Sequence, residues 1–321
     1  MDTAFRPSTR APLRSLLVFA AVFALLYGLA LATAERVVAR GATETAFQKL
    51  LAARGQHVDW LVLGASHALP LDYGDVPQRL RDETGQTMLV AAEIGAGPLY
   101  NRAVFEQALE DLSIGRMIYV VDAFAFGSRE WNEARLSDRG LLRRTPLRLS
   151  TARILASTAL RHRLDPRGLI DYLSGFSKLN PADRFPQAGW RGAETFDRRF
   201  RPSRHAVSAR IDYLYPDGAP QAEDLGRYLG MLDAMIAGAA TAGIEVLVIK
   251  PPLPEAFGDS LPEEATFDAA LRARLARRDV DFLDLSAAIP GAENYFDTDH
   301  LNRAGVDTLY RDYLRPRLAG D

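Results

Sequence analysis

Nineteen consecutive residues, from Leu16 to Ala34 (LLVFAAVFALLYGLALATA), carry no charge. As a helix rising about 1.5 Å per residue this run spans about 28 Å, close to the roughly 30 Å hydrocarbon core of a bilayer. Nothing polar interrupts it to give the solvent-facing side that a surface helix of a soluble domain needs. Arg6, Arg10 and Arg14 precede it, as expected of a segment whose amino end stays in the cytoplasm. Arg36, Arg40, Lys49 and Arg54 follow it, so orientation rests mainly on the large domain lying after an export-like segment. Ala32-Thr33-Ala34 also fits the small-x-small pattern of a signal-peptide cleavage site, but the apolar run exceeds the usual signal core of about 7–15 residues. The favoured reading is an uncleaved, single-pass anchor in the cytoplasmic membrane, and both readings put the remainder on the periplasmic or extracytoplasmic side. The expected organisation is a cytoplasmic N-terminus (1–14), a transmembrane helix (15–34), a linking helix (35–57) and a folded domain (58–321).

The folded part alternates short apolar runs with helical periodicity. Strands are expected at 59–63, 87–92, 116–122, 244–250 and 280–285. Helices are expected at 76–84, 98–112, 223–243, 262–278 and 303–317. Five strands separated by helices specify a doubly wound α/β domain with a mainly parallel five-stranded sheet, because each parallel crossover must cover a sheet face. The Arg- and Pro-rich stretch at about 134–218 breaks the alternation and reads as a helical insertion.

Charge is distributed unevenly. Residues 135–210 hold 17 Lys and Arg against 6 Asp and Glu, leaving 22 against 35 in the rest of a chain whose net charge is −2. Such a stretch is either a solvated helical face or a surface for anionic headgroups or an acidic polymer. No nucleic-acid-binding motif accompanies it, so nucleic acid is not an expected partner. The chain has no cysteine, which removes thiol nucleophiles, Cys-ligated metals and disulfides. Imidazole chemistry must come from His57, His67, His162, His205 or His300.

In open α/β sheets ligands bind beyond the carboxyl ends of the strands. Three polar clusters fall there: Gly64-Ala65-Ser66-His67-Ala68 after the first strand, Glu93-Ile94-Gly95-Ala96-Gly97-Pro98 after the second, and Phe296-Asp297-Thr298-Asp299-His300 before the last helix. A serine becomes a nucleophile when a base takes its proton, and the base needs a carboxylate to orient it. Ser66, His300 and Asp297 supply those three roles, with Asp297 and His300 close enough for one loop to present both. His67 stands beside the serine as a candidate substrate contact, with packing as the alternative reading. Asp299 reads as a cap or loop-bonding residue, Lys250 as a solvated lysine, and Phe124, Phe126 and Trp131 as pocket or core. The near-match of Gly64-x-Ser66-x-Ala68 to the α/β-hydrolase elbow is set aside, since in that fold the serine does not follow the first strand.

A serine after the first strand, a glycine loop after the second and a D-x-x-H pair before the last helix resemble the SGNH (GDSL-type) hydrolase superfamily. The resemblance runs from about Val58 to the C-terminus, outside the insertion. An anchored extracytoplasmic domain of this kind is also similar to proteins that acylate or deacylate envelope polysaccharides, such as alginate acetylation factors and the teichoic-acid D-alanylation protein. The resemblance implies Ser66 as nucleophile, His300 as base and Asp297 as its orienter, with Gly97 or Gly95 giving an oxyanion N–H beside that of Ser66, and no cofactor. Two departures stand out. The family's G-D-S is here Gly64-Ala65-Ser66, and the oxyanion asparagine expected after the third strand is absent from Val121-Asp122-Ala123-Phe124, leaving Asn101 or a backbone N–H as possible substitutes.

The leading expectation is therefore an anchored serine esterase or O-acyltransferase acting on acyl groups, acetyl foremost, of an envelope or exported polysaccharide. Its partners would be an acylated glycan or acyl donor and a membrane acyltransferase. Two other readings remain open: a non-catalytic polysaccharide-binding or scaffold module using the basic insertion, and a metal-dependent phosphoesterase built on Asp297, Asp299 and His300.

Overall fold

The computed structural model describes residues 10–40, 43–185 and 191–319; Arg6 and most of the expected cytoplasmic N-terminus lie outside them. Helix α1 (Arg10–Ala39) is one unbroken helix that continues past Ala34. Its segment Leu13–Ala39 is long and apolar enough to cross a membrane. The expected linking helix is instead two pieces, the end of α1 and α2 (Ala46–Ala52). Thr45 and Gln48 form a reciprocal capping box that starts the second piece afresh.

Strand β1 (His57–Gly64) leads through a short turn into α3 (Leu69–Tyr73) and α4 (Val76–Thr84). Then come β2 (Met88–Val90), α5 (Pro98–Asp111) and β3 (Ser113–Val120). The insertion supplies α6 (Arg139–Arg144), α7 (Leu149–His162), α8 (Arg167–Ser174), α9 (Phe176–Leu179), α10 (Gly192–Thr195) and α11 (Arg204–Leu214). The alternation resumes with α12 (Ala222–Thr241), β4 (Glu245–Lys250), α13 (Glu255–Gly258), α14 (Glu264–Arg277) and β5 (Asp281–Asp284). The chain closes on α15 (Arg303–Thr308), a π-helical turn over Leu309–Leu314 and α16 (Arg315–Ala319). The last helix, expected as one piece, is helical throughout 303–319 but widens to a π-turn ahead of Pro316, which has no N–H for the carbonyl four residues back.

All five strands are parallel, in the order β2-β1-β3-β4-β5. Alternating β1 residues go to opposite faces. Leu61 and Leu63 join a core formed with α5 and α12, while Trp60 and Val62 join a second core with α4 and α15. Both faces are covered, which is why the strands read as apolar runs. Edge strand β2 is shorter than the expected 87–92. At its start the Thr87 N–H and hydroxyl both bond the Asp59 carboxylate, at 2.7 and 2.8 Å. The chain winds from β1 to one side and from β3 to the other, so the topological switch point lies between the carboxyl ends of β1 and β3, where a cleft is expected.

Candidate active site

Gly64 ends β1 with φ +151°, and a Cβ there would lie 2.8 Å from the Val120 carbonyl oxygen of β3. A glycine therefore lets the two strands stay close while the chain turns out of the sheet. Ser66 opens the next turn, buried at the switch point. On the opposite wall, Asn302 caps α15 by accepting the Gly305 N–H at 3.1 Å, so of the two roles expected of Asp299 it holds its loop, through the Thr298 hydroxyl, and not the cap. The loop before that cap carries Asp297, Asp299 and His300.

Across 234 residues of sequence, His300 Nε2 meets Ser66 Oγ at 2.9 Å. The other ring nitrogen, Nδ1, faces both Asp297 carboxylate oxygens at 2.9 Å. Asp297 Oδ1 also accepts the His300 backbone N–H at 2.8 Å and that of Asp299 at 3.1 Å, so one loop fixes both acid and imidazole. The His300 ring is fully buried between two others: Phe296 stacks on it at 5.6 Å, and His67 lies tilted at 4.6 Å.

Ser66 and His300 open onto a cavity of about 510 Å³, walled mainly by Ile94, Phe124, Trp131, Tyr213 and Leu214. Phe124 and Trp131, left open between pocket and core, do both, meeting edge to face at 5.6 Å. Phe126 is core, against Phe267.

The other site expectations divide. Gly95 lines the cavity, has φ +62°, and would bring a Cβ to 2.7 Å from the Trp131 ring. Gly97 and Asn101 are not free to serve as donors: the Gly97 N–H goes to the Trp131 carbonyl at 2.6 Å. The Asn101 amide ties the two loops together instead, accepting the Gly64 N–H at 3.3 Å and donating to the Ala96 and Gly97 carbonyls at 2.8 and 3.2 Å. Its surroundings leave it nothing to offer a ligand. His67 stands behind His300, with its side chain 6% exposed, rather than facing the cavity.

His67 instead belongs to a buried ionic chain. Its Nδ1 bonds Asp122, the residue found where the asparagine was sought. Its Nε2 lies 3.3 Å from Asp299 Oδ2. Arg210 of α11 grips Asp299 with two nitrogens at 2.9–3.0 Å, and the Thr298 hydroxyl donates to it at 2.8 Å. Burial alone would lower the His67 pKa, but Asp122 and then Asp299 outweigh it and push it up to about 10. Burial would likewise raise the Asp299 carboxyl, whereas His300, Arg210 and His67 hold it well below the usual carboxylate range. The two carboxylates therefore favour the imidazolium form of His67.

These bonds also bear on a metal. His67, Asp299 and His300 come close enough to share an ion. However, both nitrogens of each ring already face Ser66 or carboxylates, and both Asp299 oxygens take Arg210. The group fits an ion poorly. Lys250 is not solvated: it is buried, with Glu264 and Asp268 at 2.5 and 2.6 Å.

Sequence reading missed Arg210. It is one of the 17 basic residues between 135 and 210, and no spacing rule joins it to a carboxylate 89 positions on.

The chain matches no protein-family profile and no curated protein. Among solved structures it is similar to a Bacteroides fragilis protein described as a "putative acylhydrolase", at 11% identity and TM-score 0.43, covering 87% of this chain and 97% of that one. It is similar too to a Streptococcus pneumonia protein described as a "putative platelet activating factor", at 10% identity and TM-score 0.43, covering 95% and 98%.

Proposed function

We propose that this protein is a membrane-anchored serine esterase or O-acyltransferase of the SGNH type, acting on acyl esters, acetyl foremost, of an envelope or exported polysaccharide. The observation that carries the reading is the continuous Ser66–His300–Asp297 hydrogen-bond chain at the sheet's switch point, opening onto an apolar cavity. In this reaction His300 Nε2 takes the Ser66 proton as Oγ attacks the ester carbonyl, and Asp297 holds the ring and balances its charge. Collapse of the tetrahedral intermediate expels the sugar alcohol, which receives that proton from His300, and leaves an acyl-serine. Water or a second sugar hydroxyl, deprotonated by His300, then takes the acyl group.

The N–H groups of Ser66 and Gly95 are the donors for the oxyanion; neither bonds a protein acceptor among the described residues. Asp122 supplies no third donor because it is committed to His67. One missing oxyanion donor costs roughly 10²–10³ in rate, so slow turnover on simple esters is expected. The retained anchor is supported by Tyr27 and Leu31, both before Ala34, which pack on the insertion: Tyr27 donates to the Ser174 carbonyl at 2.6 Å, and Leu31 lies against Gly175. Cleavage after Ala34 would remove both contacts.

The deciding experiment is labelling of the full-length protein by a fluorophosphonate, beside hydrolysis of p-nitrophenyl acetate. Labelling lost in Ser66→Ala supports the proposal. A folded wild type that neither labels nor turns over, yet binds acidic glycan, would favour the polysaccharide-binding module that the absent third donor suggests.

A further inference from the structure

The side of α1 that meets the insertion determines how deep the insertion sits. Tyr27, Leu31 and Glu35 follow one another at four-residue spacing and form one stripe along the helix. Tyr27 bonds Ser174, Leu31 covers Gly175, and Glu35 pairs with Lys178 and accepts the Leu147 N–H at 2.8 Å. The junction of α8 and α9 thus runs alongside α1.

If the hydrocarbon ends with the charge-free run at Ala34, a core of roughly 30 Å takes about 20 helical residues, reaches back to Ser15 and leaves Arg14 outside. Tyr27 then lies about 10 Å below that boundary, and Ser174 lies beside it. Amphipathic elements lying in a bilayer interface bury their apolar face about 5–10 Å. The residues around Ser174 suit that depth: Ile170 is 61% exposed, Leu173 51% and Phe176 39%. Arg139 and Arg184 sit over the Phe176 ring at 5.5 Å, so the apolar corner has a cationic rim.

We propose that the α8–α9 corner is a second membrane contact. Ile170, Leu173 and Phe176 enter the acyl boundary of the leaflet from which α1 emerges, and Arg139 and Arg184 meet anionic phospholipid headgroups. The inference rests on the reading of α1 as a spanning anchor. It commits to lipid as the occupant because the patch is continuous with the lipid-facing surface of α1 and because its rim carries the opposite charge to an anionic bilayer. Docking here holds the domain against the membrane surface through a rigid contact as well as a tether.

The test uses the absence of native cysteine. Full-length Ile170→Cys, Leu173→Cys, Phe23→Cys and Leu109→Cys proteins would be spin-labelled and reconstituted into phosphatidylglycerol/phosphatidylethanolamine vesicles. Collision with oxygen and with a water-soluble nickel chelate is then measured. Labels at 170 and 173 should favour oxygen several-fold more than the label at 109, and less than the one at 23. If 170 and 173 behave as 109 does while 23 is lipidic, the second contact is wrong and the anchor stands. If 23 is also aqueous, the anchor fails and takes the inference with it. Labels at 170 and 173 shielded from both reagents would mean a protein partner and overturn lipid as occupant.

Discussion

Two histidines sit side by side with rings 4.6 Å apart, and their surroundings assign them opposite behaviour. His300 has a carboxylate on one nitrogen and a neutral hydroxyl on the other, next to an open cavity, with the Asp297 side chain 30% exposed. His67 has a carboxylate on each nitrogen, both almost wholly buried, and Arg210 holds the far one. In that second chain the His67 imidazole lies between the Asp122 and Asp299 carboxylates, and the Arg210 guanidinium closes it on Asp299. A buried charge is tolerable when paired and bonded in this way, and removing one member leaves the rest uncompensated. The comparison shows that proximity to a nucleophile does not make a base: an imidazole that must exchange a proton needs an acceptor that can give it back, and His67 has none.

The largest expected effect separates the two rings by activity. Ser66→Ala and His300→Ala should each lower kcat on p-nitrophenyl acetate by about 10⁴–10⁶-fold while leaving circular dichroism unchanged. His67→Gln should lose far less activity per molecule that stays folded. Equal losses in His67→Gln and His300→Gln at matched folding would erase the distinction.

Stability should reverse the ranking. Asp299→Asn strips the buried imidazolium and Arg210 of their shared counter-charge and should cost about 3–5 kcal/mol in urea unfolding. Asp297→Asn, at a partly exposed carboxylate, should cost no more than about 1 kcal/mol while lowering kcat steeply through the wrong His300 tautomer. Similar unfolding midpoints for the two variants would mean that the second chain is not the structural one.

A pH scan sharpens the same contrast. The folded pKa of His67, about 10, lies above its ordinary 6.5, so its stabilising contribution is complete below about pH 6.5 and is lost as pH rises through about 10. The stability difference between wild type and His67→Gln should shrink by about 2–4 kcal/mol between pH 6.5 and 10. A difference that is flat with pH, measured by thermal unfolding at each step, would show that His67 folds uncharged.

What was legible in the sequence follows the range of the forces involved. The helix around 76–84 was legible because Asp75 and Pro77 are residue types that open helices; its far end is closed by Gly85 in the left-handed conformation. The five strands and their parallel direction followed from alternation. Ser66, Asp297 and His300 could be named because the end of a strand and a three-residue spacing are local signals. The ionic chain was not legible: Asp122, His67, Asp299 and Arg210 come from β3's end, β1's end, the last loop and the insertion, and only the fold joins them. For the same reason Lys250 looked solvated. Its partners, Glu264 and Asp268, lie on the next long helix.

The smallest effect tests whether the insertion does more than cover the site. Arg210 lies at the wall of the cavity and stacks over Tyr213 at 5.3 Å while gripping Asp299. Arg210→Lys keeps the charge but loses the planar two-nitrogen grip, so it should cost about 1–2 kcal/mol of stability. Because Asp299 and His300 share one loop, relaxing that grip should also let the His300 ring drift from Ser66. The expected signature is a fall in kcat of several-fold with KM nearly constant, since the cavity's apolar wall is untouched. Arg210→Met, of similar length but without charge, should fall toward the Asp299→Asn stability and not recover at any pH. If Arg210→Lys matches wild type in kcat and unfolding, the insertion is an independent cover over the cleft, and the buried chain is held by Asp122 and His67 alone.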